Sequence, residues 1–519
     1  MSPGKKRVVM SAIDLGSFSL KMKIVEVSPS GEQRLLDQLS KPTSLGKDVF
    51  SFGRIKHETV DEVCTILEGF QHLIEEYRGD RYLAMATSAI REAENKDQLI
   101  DIIKLRTGLD VEILNNSREK FITYKAIRAE YPEHVKLYRE GVMLVEVGAG
   151  NVEITLYRDG YLLLTHSIKL GHLRLRRVLA QLEEKSLDFP DLLEEYIESH
   201  LDTISNIKEK YNIPHYLSLG SEMKLIKKLS GRKDSPSGQQ IILAEDFYSL
   251  YEGIHGKAAA TLTRDLNLDS GSAASLLPSM MILKKTLEMT GAKVIHAPLL
   301  SLNDGLVAEF VGKLHKTDYH VDFDRDIVSQ AREMARRFSF DEMHARDVEE
   351  KSLALLDLLG KKYGLRKKER LLLQVGAILH DIGKYVSLEQ HQDQSFHLIN
   401  ASDLLGLSGA ELNIIANIAR YHSAQSPYHV DDSSNLPQGR ERVITAKLVA
   451  IIRLADAMDS SHKQKISDLK MKIKGRDLVI KGSASQDILL ESWKFEHNAY
   501  YFRDVFGLSP KLVIGRVAG

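Results

Sequence analysis

The sequence predicts an α/β protein built from two similar lobes, residues 1–126 and 127–310, followed by an all-helical domain at 311–465 and a small α+β tail at 466–519. Three observations predict this. A strand, an acidic residue, a Gly-rich turn and a second strand occur twice, at Val8 to Val27 around Asp14-Leu15-Gly16-Ser17 and at Val142 to Tyr157 around Glu146-Val147-Gly148-Ala149-Gly150-Asn151. From about residue 325 the chain becomes densely helical. Near its end, Met471 to Ile473 and Leu478 to Lys481 read as strands turning at Gly475-Arg476, and Leu489 to Phe506 reads as a helix carrying Trp493.

A chain of 519 residues has room for roughly three domains of ordinary size. With 43% hydrophobic and 28% charged residues it has the composition of a soluble globular protein. Lys and Arg number 71 against 72 acidic residues, so no overall positive field recruits nucleic acid, and any polyanion must be met by local clusters. The single cysteine, Cys64, excludes an internal disulfide and fits a reducing interior. Met1 to Arg7 is basic, but the apolar run after it stops at Asp14, too soon for a signal peptide or a membrane span. The expectation is a cytoplasmic protein with no membrane partner and no specific nucleic acid.

In chain order, residues 8 to 45 alternate in two or three strands, and 57 to 77 carry Val60, Val63, Leu67, Phe70 and Ile74 on one helical stripe. The strand Tyr82 to Ala86 leads into Thr87-Ser88, a helix start, with Arg91 one turn inside, where a guanidinium can fork onto phosphate. Val111 to Leu114 is a strand, and Ser117 to Ala129 a helix. Backbone N–H groups at the Gly turns of the two hairpins, Gly16-Ser17 and Gly148 to Asn151, can face phosphate oxygens. Asp14, beside the first turn, can hold magnesium through water. Gly220-Ser221, after the strand Tyr216 to Leu219, is another strand end exposing amides. A solvated turn is expected between 228 and 240, and an amphipathic helix at 272 to 290.

In the helical part, His344 shares a helix with Val348, Leu353 and Leu356. His380-Asp381 follows the apolar helix Leu371 to Leu379, and His422 ends the helix from Ile414. Asp456 interrupts a run of apolar residues, where an unpaired carboxylate costs several kcal/mol. These four positions resemble the HD phosphohydrolase pattern, with His422 and either His391 or His397 as ligands of a second ion. Imidazole and carboxylate together suit a divalent transition metal such as Mn, Fe or Zn, or magnesium, with Asp381 bridging. Lys361-Lys362, Arg366-Lys367-Lys368 and Arg370 form a basic cluster, read as a solvated helix face or as a polyanion contact.

Several segments, in order, resemble the exopolyphosphatase and guanosine pentaphosphate phosphatase (Ppx/GppA) family of the sugar kinase/Hsp70/actin superfamily. These are Ala12 to Ile24, "ATSAIREAEN" at Ala86 to Asn95, Leu144 to Ile154, Leu170 to Leu175, and "ESWKFEHNAYYFRDVFGL" near the end. The resemblance implies two actin-like lobes, a homodimer, and release of terminal phosphate from polyphosphate or guanosine penta- or tetraphosphate between the lobes. Asp14 and Glu146 would hold Mg2+, while Gly16, Ser17, Arg91, Gly148, Gly150, Asn151 and Gly220 would bind phosphate. Phe18 stands where the family usually has Asn. The segment holding the family's water-activating Glu matches Arg118-Glu119-Lys120-Phe121, which puts Arg118 at the base position. Glu119 takes that role if the register slips by one, a rotation of about 100° on a helix. Two other readings stay open. One is a metal-dependent HD phosphohydrolase at His344, His380, Asp381, His391, His422 and Asp456, regulated by a phosphate ligand in the lobes; the other is a catalytically silent sensor of polyphosphate or an alarmone.

Overall fold

The computed structural model describes all residues except 1–6, 132, 176–188, 205–206, 221, 232–239, 316–318, 424–436, 438 and 517–519. Most of the turn expected at 228–240, Ser221, and the start of the basic N-terminus therefore lie outside the described residues. The chain divides into two compact units, Met1–Asp322 and Phe323–Gly519.

The first unit contains two sheets of one design. In the first, β1 (Val8–Leu15), β2 (Ser19–Val27) and β3 (Gln33–Pro42) form an antiparallel meander, and β4 (Arg81–Ala86) and β5 (Val111–Ile113) add in parallel on the other side of β1, giving the order β3-β2-β1-β4-β5. In the second, β6 (Val142–Val147), β7 (Val152–Arg158) and β8 (Tyr161–Ile168) repeat the meander. Here β9 (His215–Leu219) and β11 (Val294–His296) add in parallel and β10 (Ile241–Leu243) closes the edge, giving the order β10-β11-β9-β6-β7-β8.

Packing follows the apolar periodicity. Helix α2 (His57–Glu76) buries Val60, Val63, Leu67, Phe70 and Ile74, the stripe read from the sequence, in the core on one face of the first sheet. The other face, at Met10, Ala12, Val25 and Val27, is covered by Leu302, Leu306 and Val307 of the helix Leu302–His315 and by Ile122 of α5 (Asn116–Glu130). Gly305 permits this approach, because a Cβ there would meet the Ile122 carbonyl oxygen at 2.0 Å. Asp304 adds an ion pair with Lys23 at 2.5 Å. Both borders expected for the lobes, after 126 and after 310, thus fall inside helices, and the chain returns to the first sheet after building the second.

In the second unit, long helices such as Glu342–Tyr363, Lys367–Leu379 and Gly409–Arg420 enclose one apolar core. The tail shares it: Ile466, Leu478, Ile480, Phe495, Phe502 and Phe506 are buried in that same cluster. The hairpin β12 (Ile466–Lys474) and β13 (Asp477–Ala484) forms, and the helix Leu489–Phe506 leads to β14 (Ser509–Arg516), parallel to β13. That last strand goes beyond the sequence reading, although Leu512-Val513-Ile514 carries its β-branched signal. In the basic cluster, Lys367, Lys368 and Arg370 pair with Asp324, Glu411 and Asp357, as a solvated helix face does.

Candidate functional site

The two acidic hairpins correspond bond for bond. Asp14 stands opposite Lys21 and Glu146 opposite Glu153, each one residue before its strand ends. The Gly16 N–H donates to the Ser19 carbonyl at 3.2 Å and the Gly148 N–H to the Asn151 carbonyl at 2.9 Å. These two amides close the turns, so the sequence expectation that they cradle phosphate is corrected. Within the two turns, no acceptor among the described residues meets the amides of Ser17, Phe18, Ala149 or Gly150. Gly220, at φ +128°, lies against the Val147 backbone, where a Cβ would come 3.0 Å from the carbonyl oxygen.

The cleft between the sheets is lined by Ser88, Arg91, Asn116, Glu119 and Lys120 from one side and by Glu146, Gly148 to Asn151 and Glu153 from the other. Helix α5 sets the register. Its N-cap, Asn115, has extended backbone, and its side chain accepts from the Arg118 N–H at 2.8 Å. From that start, Glu119 faces the cleft, where Arg91 Nη1 donates to its Oε2 at 2.8 Å and to the Leu114 carbonyl at 2.8 Å. Arg118 turns to Glu309 at 2.5 Å, and Glu309 also receives Lys125 at 3.0 Å and Lys313 at 2.8 Å. Burial opposes charge on Glu309, but Lys125 and Arg118 outweigh it and hold its pKa down at about 2. Arg118, which the resemblance puts at the base position, therefore points away from the cleft, and Glu119 lines it.

Charge in the cleft is unbalanced. Asp14, Glu119, Glu146 and Glu153 face Arg91, Lys120 and, beside Asp14, Lys21, and Lys120 is tied to Glu153 in a buried pair. Burial, then Glu119 and Glu153, push Glu146 up to about 8; burial raises Asp14 to about 6, with Lys21 opposing and Glu119 adding to the rise. Asp14 Oδ1 is buried without a hydrogen-bond partner. An orphaned carboxylate oxygen among like charges fits a divalent cation, and hard oxygen donors suit magnesium. Glu153, Lys120, Ser88 and Asn116 had no role in the sequence reading. Their signal was adjacency: Lys120 follows Glu119, and Glu153 lies opposite Glu146 in any regular hairpin.

The second unit holds a second constellation. His344 Nε2 lies 3.2 Å from His380 Nε2, 3.3 Å from Asp456 Oδ1 and 3.8 Å from Asp381 Oδ2, and His380 Nε2 is 3.5 Å from Asp381 Oδ2. Ligands about 2.1 Å from one ion stand about 3.0–3.4 Å apart, so this spacing suits a shared ion. On the other oxygen of Asp381, His391 Nε2 and His422 Nε2 lie at 3.5 and 3.6 Å. The outward nitrogens are anchored: Nδ1 of His380, His391 and His422 meets the carbonyls of Ala377, Leu388 and Ala419, and His344 Nδ1 meets Asp459 at 2.8 Å. Such anchoring keeps the proton on Nδ1 and aims the Nε2 lone pair inward, the arrangement metal sites require. Asp381 Oδ1 is buried without a hydrogen-bond partner. Among the described residues, all groups of three donors close enough to share an ion lie here, and the residues fit a divalent transition metal. Burial lowers His380 to about 4, while on His344 the hydrogen bonds it donates to Asp456 and Asp459 overcome burial and raise it to about 9, so an ion taken up at its Nε2 would displace a proton.

Of the two candidates for the second imidazole, His391 is the one at Asp381, and His397 is exposed. Sequence reasoning missed Asp459, Lys384 and His462. Lys384 contacts Asp381 at 2.5 Å, and His462 stacks on His344 with ring centroids 3.6 Å apart.

With this geometry established, comparison with known proteins places the chain. The Ppx/GppA phosphatase family matches residues 24–314, and domain III of Ppx/GppA phosphatases matches 328–498. A guanosine-5'-triphosphate,3'-diphosphate pyrophosphatase of Photobacterium profundum is 22% identical over 455 residues, covering 85% of this chain and 86% of that protein. Exopolyphosphatase 1 of Mycobacterium bovis is 24% identical over 169 residues, 32% of this chain and 48% of that protein. Among solved structures, an exopolyphosphatase from Cytophaga hutchinsonii aligns with a TM-score of 0.52 at 18% identity, covering 59% of this chain and 98% of that one. The Aquifex aeolicus member of the Ppx/GppA family aligns with a TM-score of 0.50 at 20% identity, covering 59% and 99%. These structures share the two-lobed α/β fold. With the two family matches together spanning most of its length, the chain belongs to the Ppx/GppA phosphatase family.

Proposed function

We propose that the chain is a phosphoanhydride hydrolase, releasing terminal phosphate from inorganic polyphosphate or from guanosine penta- or tetraphosphate in the cleft between its two sheets. The observation that carries this is the position of Glu119, a carboxylate held by Arg91 at 2.8 Å opposite the second hairpin. The free amides of Ser17, Phe18, Ala149 and Gly150 receive phosphate oxygens. Glu119 orients a water molecule and takes its proton as the water oxygen bonds to phosphorus. The bond to the bridging oxygen breaks, and the shortened chain leaves with that oxygen. Arg91 orients Glu119 and offers positive charge to the departing phosphate. Magnesium held by Asp14 and Glu146 would neutralise the phosphate oxygens, and the orphaned Asp14 Oδ1 supports that assignment.

The His/Asp constellation favours a second reading, an HD-type metal site in the helical domain. Its support is the convergence of inward-facing Nε2 atoms on the two oxygens of Asp381. The homodimer and the cytoplasmic location implied by family resemblance and by the lone buried Cys64 complete the proposal; among the described residues no helix is long and apolar enough to cross a membrane. Phosphate release from polyphosphate, guanosine pentaphosphate and nucleotides tests it, comparing wild type, Glu119→Gln and the double variant His380→Ala with Asp381→Ala. Loss with Glu119→Gln alone supports the cleft. Loss in the double variant alone transfers the chemistry to the helical domain.

A further inference from the structure

One short helix links the first hairpin, Glu119 and the second lobe. Helix α3 (Ser88–Glu92) begins with Ser88, whose hydroxyl lies 3.1 Å from that of Ser17 on the first phosphate hairpin. One turn on, Arg91 holds Glu119. The next residue, Glu92, reaches the second lobe, where its Oε2 accepts from Arg174 Nη2 at 2.5 Å. Arg174 in turn donates through Nε to the Gly150 carbonyl at 2.9 Å, so a single guanidinium joins α3 to the second phosphate loop. The loop has little freedom elsewhere on that side. A Cβ on Gly150 would meet the Phe50 ring at 2.9 Å, and the Gly171 N–H donates to the Gly150 carbonyl at 3.1 Å.

We propose that Arg174 and Glu92 are positioning residues, which fix the Gly148 to Gly150 loop at a set distance from Glu119 through the adjacent side chains of α3. This rests on the assignment of the cleft as the phosphohydrolase site. The pair bridges two sheets that share no strand, so its energy acts on the closure of the cleft rather than on either core. Arg174 is suited to this task because its planar fork serves two acceptors at once, Gly150 O and Glu92, which the single ammonium of lysine does not reproduce. Both side chains are about a quarter exposed, at 22% and 31%, so their removal leaves no large buried void.

The test uses the full-length protein and the variants Glu92→Gln, Arg174→Lys, Arg174→Gln and the double variant Glu92→Gln with Arg174→Gln. Two readouts are taken: steady-state phosphate release, and hydrogen exchange of the peptide containing residues 147–152. The expected result is a kcat about tenfold lower in each single variant, at a melting temperature within about 2 °C of wild type. The double variant is no worse than Arg174→Gln, and the loop exchanges faster in all of them. Equal and independent losses that add in the double variant, or unchanged exchange at 147–152, overturn the proposal. If wild type releases no phosphate, the cleft assignment fails by itself; the exchange measurement still decides whether the pair holds the loop.

Discussion

Arg118 and Glu119, neighbours in the first turns of α5, serve different places: Glu119 meets Arg91 at 2.8 Å in the cleft, and Arg118 meets Glu309 at 2.5 Å on the helix Leu302–His315. Successive helical residues point about 100° apart, and here that rotation sends Glu119 into the cleft and Arg118 to Glu309. Arg118 therefore acts in packing, as one of three cations on a buried carboxylate. Arg118→Ala is expected to lower stability by about 1–3 kcal/mol, the range for a lost charged hydrogen bond, while kcat stays within twofold of wild type. Chemical denaturation and phosphate release, measured on the same preparation, check both parts.

Glu146 makes stability depend on pH. Its pKa rises from 4.5 to about 8 on folding, so between those values the folded chain keeps a proton that the unfolded chain has lost. The resulting stability is present below about pH 4.5 and is lost as pH rises through 8. Glu146→Gln should flatten that part of the profile and raise the melting temperature at pH 8 by a few degrees, at roughly 2–4 °C per kcal/mol. Magnesium needs the ionised carboxylate, so its affinity in the cleft should climb over the same interval. Melting curves from pH 5 to 9, with and without magnesium, measure both effects.

The helical constellation predicts bound metal independently of the cleft. Wild-type protein purified without chelator should retain one to two equivalents of a divalent transition ion, and His380→Ala with Asp381→Ala should retain none. Because a ligand bound only to the folded state stabilises it by mass action, a strong chelator should lower the wild-type melting temperature and leave that of the double variant unchanged. Elemental analysis together with thermal melts gives the answer. Equal metal content in the two proteins contradicts the assignment.

Much of this arrangement was legible in the sequence because it rests on local rules. The repeated acidic hairpin, the α2 stripe from Val60 to Ile74 and the helix Leu489–Phe506 all follow from periodicity and turn chemistry. His380-Asp381 and Asp456 stood out as polar residues in apolar helices. What was not legible depends on contacts distant in sequence. No local pattern shows that Leu302–His315 returns to the first sheet, a placement set by Gly305 against Ile122. Nor does one show that Glu92 reaches Arg174, 82 residues away. The assignment of Gly16 and Gly148 failed for a local reason: the turn spends its own first amide on closure, leaving the next residues to meet phosphate.

The most direct measurement is the rate of phosphate release from polyphosphate by Glu119→Gln, alongside equilibrium binding of the same polyphosphate. The substitution keeps the size of the side chain and a hydrogen-bond acceptor for Arg91 but removes the base. A fall in kcat of about 10² to 10⁴-fold, with binding retained within a few-fold, is the result expected of a water-activating carboxylate. An unchanged kcat would contradict it and remove Glu119, and with it the cleft, from the chemistry.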